Sequence, residues 1–531
     1  MAWLEQLHLV VVGFLVPLAV LLVCSAATST RRRRKQLPFP PGPTPLPIIG
    51  NMLIMNQLTH RGLAKLNERY GSGLCHLRLG ARHAFSVSTP ELAREVLQAQ
   101  DAVFSNRPAS AAVSYLTYGR ADMAFAHYGP FWRQARKLCV MKLFSRKRTA
   151  SWASVQVELG KAVRAVAERA DAGAAINVGE LMFKMTMGII FRAAFGAQSC
   201  GEQGEFIAIM QEFSRLFGAF NVGDFISSLR WLDPNGINRR LKAARGSLDK
   251  FIDRIIDEHI ANPKAEDSAE RDMVDEMLVF LDDEVDSGVV GGRTREEDEL
   301  LKGQLRTLRL TRNNIKAIIM DLMFGGTETV ASAIEWAMAE LMKNPDEMSR
   351  VQEELTTAIG GLDRQVQESD LEKLPYLKCV VKETLRLHPP IPLLLHETAE
   401  ESQVAGFSVP AESRVMVNVW AIGRDRSVWK DAGEFRPGRF APGSEAAAVD
   451  FKGNFFEFLP FGSGRRACPG MYLGLHALEL AVAQMAHCFT WVLPGGMKPS
   501  ELDMGDVFGL TAPRAVRLVA VPTHRVTCPF Y

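Results

Sequence analysis

Leu7 to Ala27, a run of 21 residues without a formal charge, constrains this chain more than any other feature, because such a run has to leave water. As a helix rising about 1.5 Å per residue it would span roughly 31 Å, the thickness of a bilayer's hydrocarbon core. Arg31, Arg32, Arg33, Arg34 and Lys35 follow it, whereas Glu5 is the one charged side chain before it. A cleaved signal peptide carries its positive charge ahead of the apolar run, so the faintly cleavage-like Ser25-Ala26-Ala27 is outweighed. Five cations after the run hold that end in the cytosol. Residues 1–30 are expected to form an uncleaved membrane anchor.

Residues 31–50 read as a basic and proline-rich hinge, with Pro38, Pro40, Pro41, Pro43, Pro45 and Pro47. Prolines this dense forbid a helix and favour a stiff extended spacer that lifts a body off the membrane. Residues 51–531 form that body. Length alone suggests several domains, but the chemical motifs are spread over most of the chain and have to meet at one site. Helical periodicity dominates, as in 90–100, 129–144, 204–217 and 241–260. Strand signals are few: Arg82 to Ser88, Ser413 to Asn418 and Ala515 to Val521. The fold class is therefore mainly α with a small β portion. Glu266 to Leu308 is rich in charge and glycine, and its centre reads as an exposed loop. With 62 basic and 60 acidic residues there is no electrostatic footprint for nucleic acid. The eight cysteines are scattered without a CxxC pair, which argues against a structural zinc site and a disulfide framework.

The strongest chemical signal is Phe461-Gly462-Ser463-Gly464-Arg465-Arg466-Ala467-Cys468-Pro469-Gly470, which fits F-x-x-G-x-R-x-C-x-G. A thiol becomes a thiolate ligand only where a metal or positive dipoles stabilise it. Small residues let backbone N–H groups approach Cys468, and the apolar helix from Met471 to Phe489 points its positive N-terminus at the sulfur. Such a thiolate pushes electron density through haem iron into oxygen and favours O–O cleavage. Arg466 is placed to meet a haem propionate.

Three further constellations accompany it. Glu383 and Arg386, three apart, share a helical face, and Arg439 in Phe435-Arg436-Pro437-Gly438-Arg439-Phe440 is the third member expected in a buried structural network. The helix Thr311 to Asn344, which Pro345 follows, carries Gly325-Gly326 at its centre, each costing about 1 kcal/mol relative to alanine. A local distortion there would make room for oxygen over the iron, with Thr329 donating a hydrogen bond and Glu328 relaying protons; a helix crossing is the plainer alternative. Trp132 and Arg136, one turn apart, could join Arg466 and His396 on the two propionates, which cannot be buried unpaired.

These motifs, in this order, resemble the cytochrome P-450 superfamily, and the proline-rich hinge after an anchor is similar to its plant microsomal members. The resemblance covers essentially residues 1–525. It implies the superfamily's mostly helical fold, haem b with an axial thiolate, and dioxygen as co-substrate. It also implies electrons from NADPH through cytochrome P-450 reductase, and an endoplasmic-reticulum membrane site with the catalytic domain facing the cytosol. Glu328 stands where aspartate is commoner. Residues 116–118, 120–132, 217–222, 319–337, 388–400 and 508–513 are similar to the ferulate 5-hydroxylase (coniferaldehyde 5-hydroxylase) family, whereas Gly119 and residues 284–306 depart from it. That likeness places Phe217, Phe220, Leu393, Leu394, Leu395, Phe508 and Leu510 around a small phenolic substrate and Phe461 at the haem. It implies hydroxylation at the ring 5-position of coniferaldehyde, coniferyl alcohol or ferulate, toward syringyl lignin precursors. Hydroxylation of a flavonoid or other phenolic ring is the alternative, followed by a haem-thiolate isomerase or dehydratase and by a haem sensor without turnover.

Overall fold

The computed structural model describes residues 37–108, 110–145, 149–196, 203–217, 222–225, 236–265, 268, 270–282 and 308–527. The expected anchor, the basic run, Phe220, the 284–306 segment and the side chain of Phe217 lie outside what is described.

Helices dominate, as the periodicity requires. Those that position the site are α1 (His60–Tyr70), α2 (Pro130–Leu138), α3 (Thr149–Asp171), α4 (Val178–Phe195), α5 (Arg312–Lys343), α6 (Pro375–Leu387) and α7 (Met471–Cys488). Helix α5 starts where Thr311 and Asn314 cap each other reciprocally and stops at Asn344, whose successor Pro345 cannot continue the ladder. It is apolar enough to cross a membrane, but its flanks at 315–323 and 331–342 are mostly buried, which makes it the central core helix. It packs on α4, where Thr186 Oγ1 donates to Thr327 O at 3.0 Å.

A four-stranded sheet runs in the order β1 (Leu74–Leu79), β2 (Arg82–Val87), β5 (Arg414–Asn418), β4 (Leu393–Glu397), with β2 and β5 parallel and the other pairs antiparallel. A second sheet joins β3 (Ile176–Asn177), β7 (Val519–His524) and β6 (Phe489–Val492), with β7 in the middle. Two of the three expected strands coincide with β2 and β5. The third starts late, at Val519, because Leu518 N donates to Glu335 Oε1 and Leu518 O accepts from Val178 N, tying that backbone to helices.

One further difference from the sequence reading has a physical reason. Residues 37–47 do not stand free of the body as a spacer. Pro38 O accepts from Ser408 N, Pro41 O accepts from His76 N, and the Phe39 ring stacks on His76 and His83 at centroid distances of 4.6 and 5.0 Å. The centre of the charged 266–308 stretch, expected as an exposed loop, lies outside the described residues; near its start Met273–Leu278 is a short helix, capped by Asp272, with Met273, Val274 and Met277 fully buried.

Candidate functional site

The loop before α7 is built around close approaches. Gly464 (φ +64°) lies so near Leu97 O that a Cβ would collide with the carbonyl, and no other residue adopts that conformation without strain. Cys468 N donates to Phe461 O at 2.9 Å, closing the loop on itself. The Cys468 thiol is crowded by protein, and this desolvation pushes its pKa up, while the Gly470 N–H and the Arg136 charge pull it down. Its surface is nevertheless open, which places it on the wall of a space within the body rather than in packed core.

That space is bounded by α5. Between its buried flanks, Phe324, Gly325, Gly326, Glu328, Thr329 and Val330 are not fully buried, and α7 approaches them where a Cβ on Gly474 would lie 3.5 Å from Val330 Cγ2. The two central glycines have different reasons. A Cβ on Gly326 would come 2.6 Å from Ile190 Cδ1, so this residue serves the α4–α5 crossing. Gly325 faces nothing within 4 Å and is the opening. The expected distortion is absent: the helix runs unbroken through the pair, and Thr329 Oγ1 donates to Gly325 O at 2.6 Å. Glu328 is half-buried with no hydrogen-bond partner among the described residues.

Across from α5 three arginines converge. Arg466 donates to Ser105 O (2.6 Å), Met123 O (3.1 Å) and Ala126 O (2.5 Å). Arg107 donates to Leu395 O. Burial, then the charges of Arg107 and Arg136, lowers Arg466 to about 9; burial and Arg136 lower Arg107 to about 10. None of the three has a salt bridge among the described residues. His396, whose Nδ1 bonds Phe104 O at 2.7 Å, is held well below the usual imidazole range by burial and then by Arg107, and stays neutral. The Trp132 indole lies under both Arg466 (4.5 Å) and Arg136 (5.7 Å). Its N–H, expected on a propionate, instead donates to Met123 O at 3.0 Å, so its ring is what it offers the cations. Arg107 was not anticipated: a single arginine in a turn carries no periodic signal, and only the fold brings it beside Arg466.

Behind this wall, Glu383, Arg386 and Arg439 form one fully buried network. Arg386 Nε and Nη2 meet the Glu383 carboxylate at 2.7 and 2.8 Å, and Arg439 Nε meets it at 3.0 Å. Leftover guanidinium protons go to the carbonyls of Ala432 and Lys430, and Glu383 also accepts from Arg436 N.

The expected substrate walls are divided. Leu393 to Leu395 lie on β4, so their side chains alternate. Leu394 lies 3.7 Å from the position of a Cβ on Gly462 and faces the Cys468 loop. Leu393 is buried with Leu63, Leu77 and Phe225, and Leu395 packs on the same cluster, so the reading of both as pocket walls is corrected to core. Phe508 and Leu510 are exposed on a turn whose Ala512 is pinned by its N–H to Pro390 O and by Trp336 Nε1 to its own carbonyl. A surface groove of about 1030 Å³ between α3 and α7, lined by Gln156, Glu368 and Glu479, is separate from this region.

An open-faced thiol in a glycine-shaped loop, set against half-buried arginines with no salt bridge among the described residues, fits haem: sulfur for the iron, arginines for two propionates. The class this defines is a haem-thiolate oxygenase. The chain belongs to the cytochrome P450 family, whose model, described as Cytochrome P450, matches residues 40–518. It is 61% identical to Cytochrome P450 84A1 of Arabidopsis thaliana over 92% of both chains. It is 40% identical to flavonoid 3′-monooxygenase CYP75B137 of Crocosmia x crocosmiiflora, over 93% of this chain and 94% of the relative. A zebrafish cytochrome P450 solved with progesterone superposes with a TM-score of 0.70 at 25% identity, covering 87% of this chain and 99% of that one. The chain is a cytochrome P450 monooxygenase.

Proposed function

We propose that this monooxygenase hydroxylates the 5-position of guaiacyl phenylpropanoids, with coniferaldehyde, coniferyl alcohol and ferulate as substrates, on the way to syringyl lignin precursors. The observation that carries the reading is the 61% identity to Cytochrome P450 84A1, beside the resemblance of residues 116–118, 120–132, 217–222, 319–337, 388–400 and 508–513 to the ferulate 5-hydroxylase family. A 40% identical relative named flavonoid 3′-monooxygenase supports phenolic-ring chemistry and favours a flavonoid as the second reading. The protein is anchored in the endoplasmic-reticulum membrane by residues 1–30 and receives electrons from NADPH through cytochrome P450 reductase. Incubating enzyme and reductase with these three phenolics and a flavonoid panel tests this. Products from the flavonoids alone would replace the first reading with the second.

Haem b, when bound, supplies oxygen activation. Cys468 holds the iron by its thiolate, Arg107, Arg136 and Arg466 hold the propionates, and the Glu383–Arg386–Arg439 network braces the wall behind. Thr329 hands on a proton by rotating its hydroxyl away from Gly325 O, and Glu328 resupplies it from water. Thr329→Ala is therefore expected to keep haem and substrate binding while product formed per NADPH falls severalfold and hydrogen peroxide rises. An unchanged ratio would remove Thr329 from proton delivery.

Leu394, Phe508 and Leu510 offer a flat phenol apolar walls and no cation. A carboxylate buried without a partner costs several kcal/mol, about what a neutral aldehyde or alcohol with one hydrogen bond avoids. Coniferaldehyde and coniferyl alcohol are thus expected to show higher kcat/KM than ferulate in side-by-side assays. The reverse order would reveal a cation in the pocket.

A further inference from the structure

Asp122 and Asp321, far apart in sequence, meet beside the arginine cradle with their carboxyl groups in hydrogen-bonding contact. Asp321, on the side of α5 that faces the 121–126 segment, accepts Met123 N at 2.8 Å and Ala124 N at 2.9 Å through one oxygen. Asp122, fully buried, accepts Phe125 N at 3.1 Å. Asn314, two turns earlier on α5, donates to Ala121 O at 2.9 Å. Met123 O and Ala126 O, on the same segment, are the acceptors of Arg466, and Met123 O also holds Trp132. The two carboxyls therefore pin the segment that orients the cradle.

A carboxylate has no donor, so two of them in hydrogen-bonding contact need a proton between them. We propose that Asp122 and Asp321 share one proton and so carry one negative charge between them. Three guanidinium charges facing one negative charge leave two, which is the charge of two propionates. Arg466 interacts with both aspartates, Arg107 and Arg136 with Arg466, Cys139 with Asp321, and His396 stays neutral; Arg136 also acts on Cys468, and Arg120 approaches through Arg107 O and His127, so the count is of the three guanidiniums and the aspartate pair alone. Burial pushes Asp122 up to about 6, and burial followed by Asp122 pushes Asp321 well above the carboxylate range. Both shifts favour a proton held by the pair. The inference rests on the haem reading of the site and assigns the pair a positioning role, since neither carboxyl is placed on the substrate.

Infrared spectra of the holoenzyme carrying carboxyl-labelled aspartate, with Asp122→Asn, Asp321→Asn and the double variant, test it. In the parent at pH 7.5 a label-sensitive protonated-carboxyl band is expected. Either single variant should lose that band, because an amide N–H replaces the shared proton and the remaining carboxylate keeps the charge. The haem reduction potential should stay at the parent value in both single variants. In the double variant, where the negative charge is gone, it should move positive. The absence of the band in the parent, its survival in both single variants, or a double-variant potential equal to that of the singles would overturn the proposal. A parent that takes up no haem would instead overturn the reading of the site.

Discussion

Cys468→Ser is expected to abolish turnover completely and to remove the strongly red-shifted carbon monoxide band of the reduced protein. The serine hydroxyl fits the loop, since Cys468 N would still close on Phe461 O, so the fold should survive and the loss should be chemical. Burial already works against ionising the thiol, and the Gly470 N–H and Arg136 oppose it. An alcohol, ionising many decades higher than a thiol, gains too little from the same two groups to supply an anion to iron. Persistence of the band in the variant would show that another residue is the ligand.

The second large effect lies away from the iron. Glu383→Ala would leave Arg386 and Arg439, both without exposed side-chain surface, as buried guanidiniums, Arg386 with no carboxylate and Arg439 with only the exposed Glu445 at 3.0 Å. Removing one partner of a buried ion pair costs about 3–5 kcal/mol, and here two cations lose the same partner. Little folded holoprotein is expected, measured as haem content and as the denaturant midpoint of what survives. Glu383→Gln, which keeps one acceptor oxygen, should fall between. A loss below about 1 kcal/mol for the alanine variant would place the network among surface pairs.

Much of the architecture can be read locally. Thr311, Asn314 and Pro345 mark both ends of α5, and Phe461 to Gly470 announces its own loop, because each of these signals acts within a few residues. The Glu383–Arg386 pair is local in the same way, whereas Arg439 joins it from 53 positions beyond Arg386 and is recognisable only through its motif. The features that stay hidden depend on distant partners. Arg107 is silent in sequence until β4 brings Leu395 O to it. Asp122 and Asp321 read as unrelated acids until the 121–126 segment docks on α5. Gly325 and Gly326 look alike, and only Ile190 on a neighbouring helix distinguishes them. Leu393 to Leu395 reads as one apolar wall because a run of identical residues carries no alternation; the strand supplies it. Trp132 invites a propionate contact that the nearer Met123 carbonyl takes up.

On the anchoring proposed for residues 1–30, the docking of residues 37–47 on the first sheet would shorten the leash between protein and bilayer. With Leu7 to Ala27 as that anchor, the sequence between it and the docked segment would run only from Ala27 to Leu37. At no more than about 3.6 Å per residue, ten residues reach about 36 Å when fully drawn out. Because Phe39 is clasped by His76 and His83, that limit applies to the β1–β2 hairpin itself and not to a loose tail. A body tethered in that way would swivel over the lipid surface, but its sheet end would not drift farther from that surface than the leash allows.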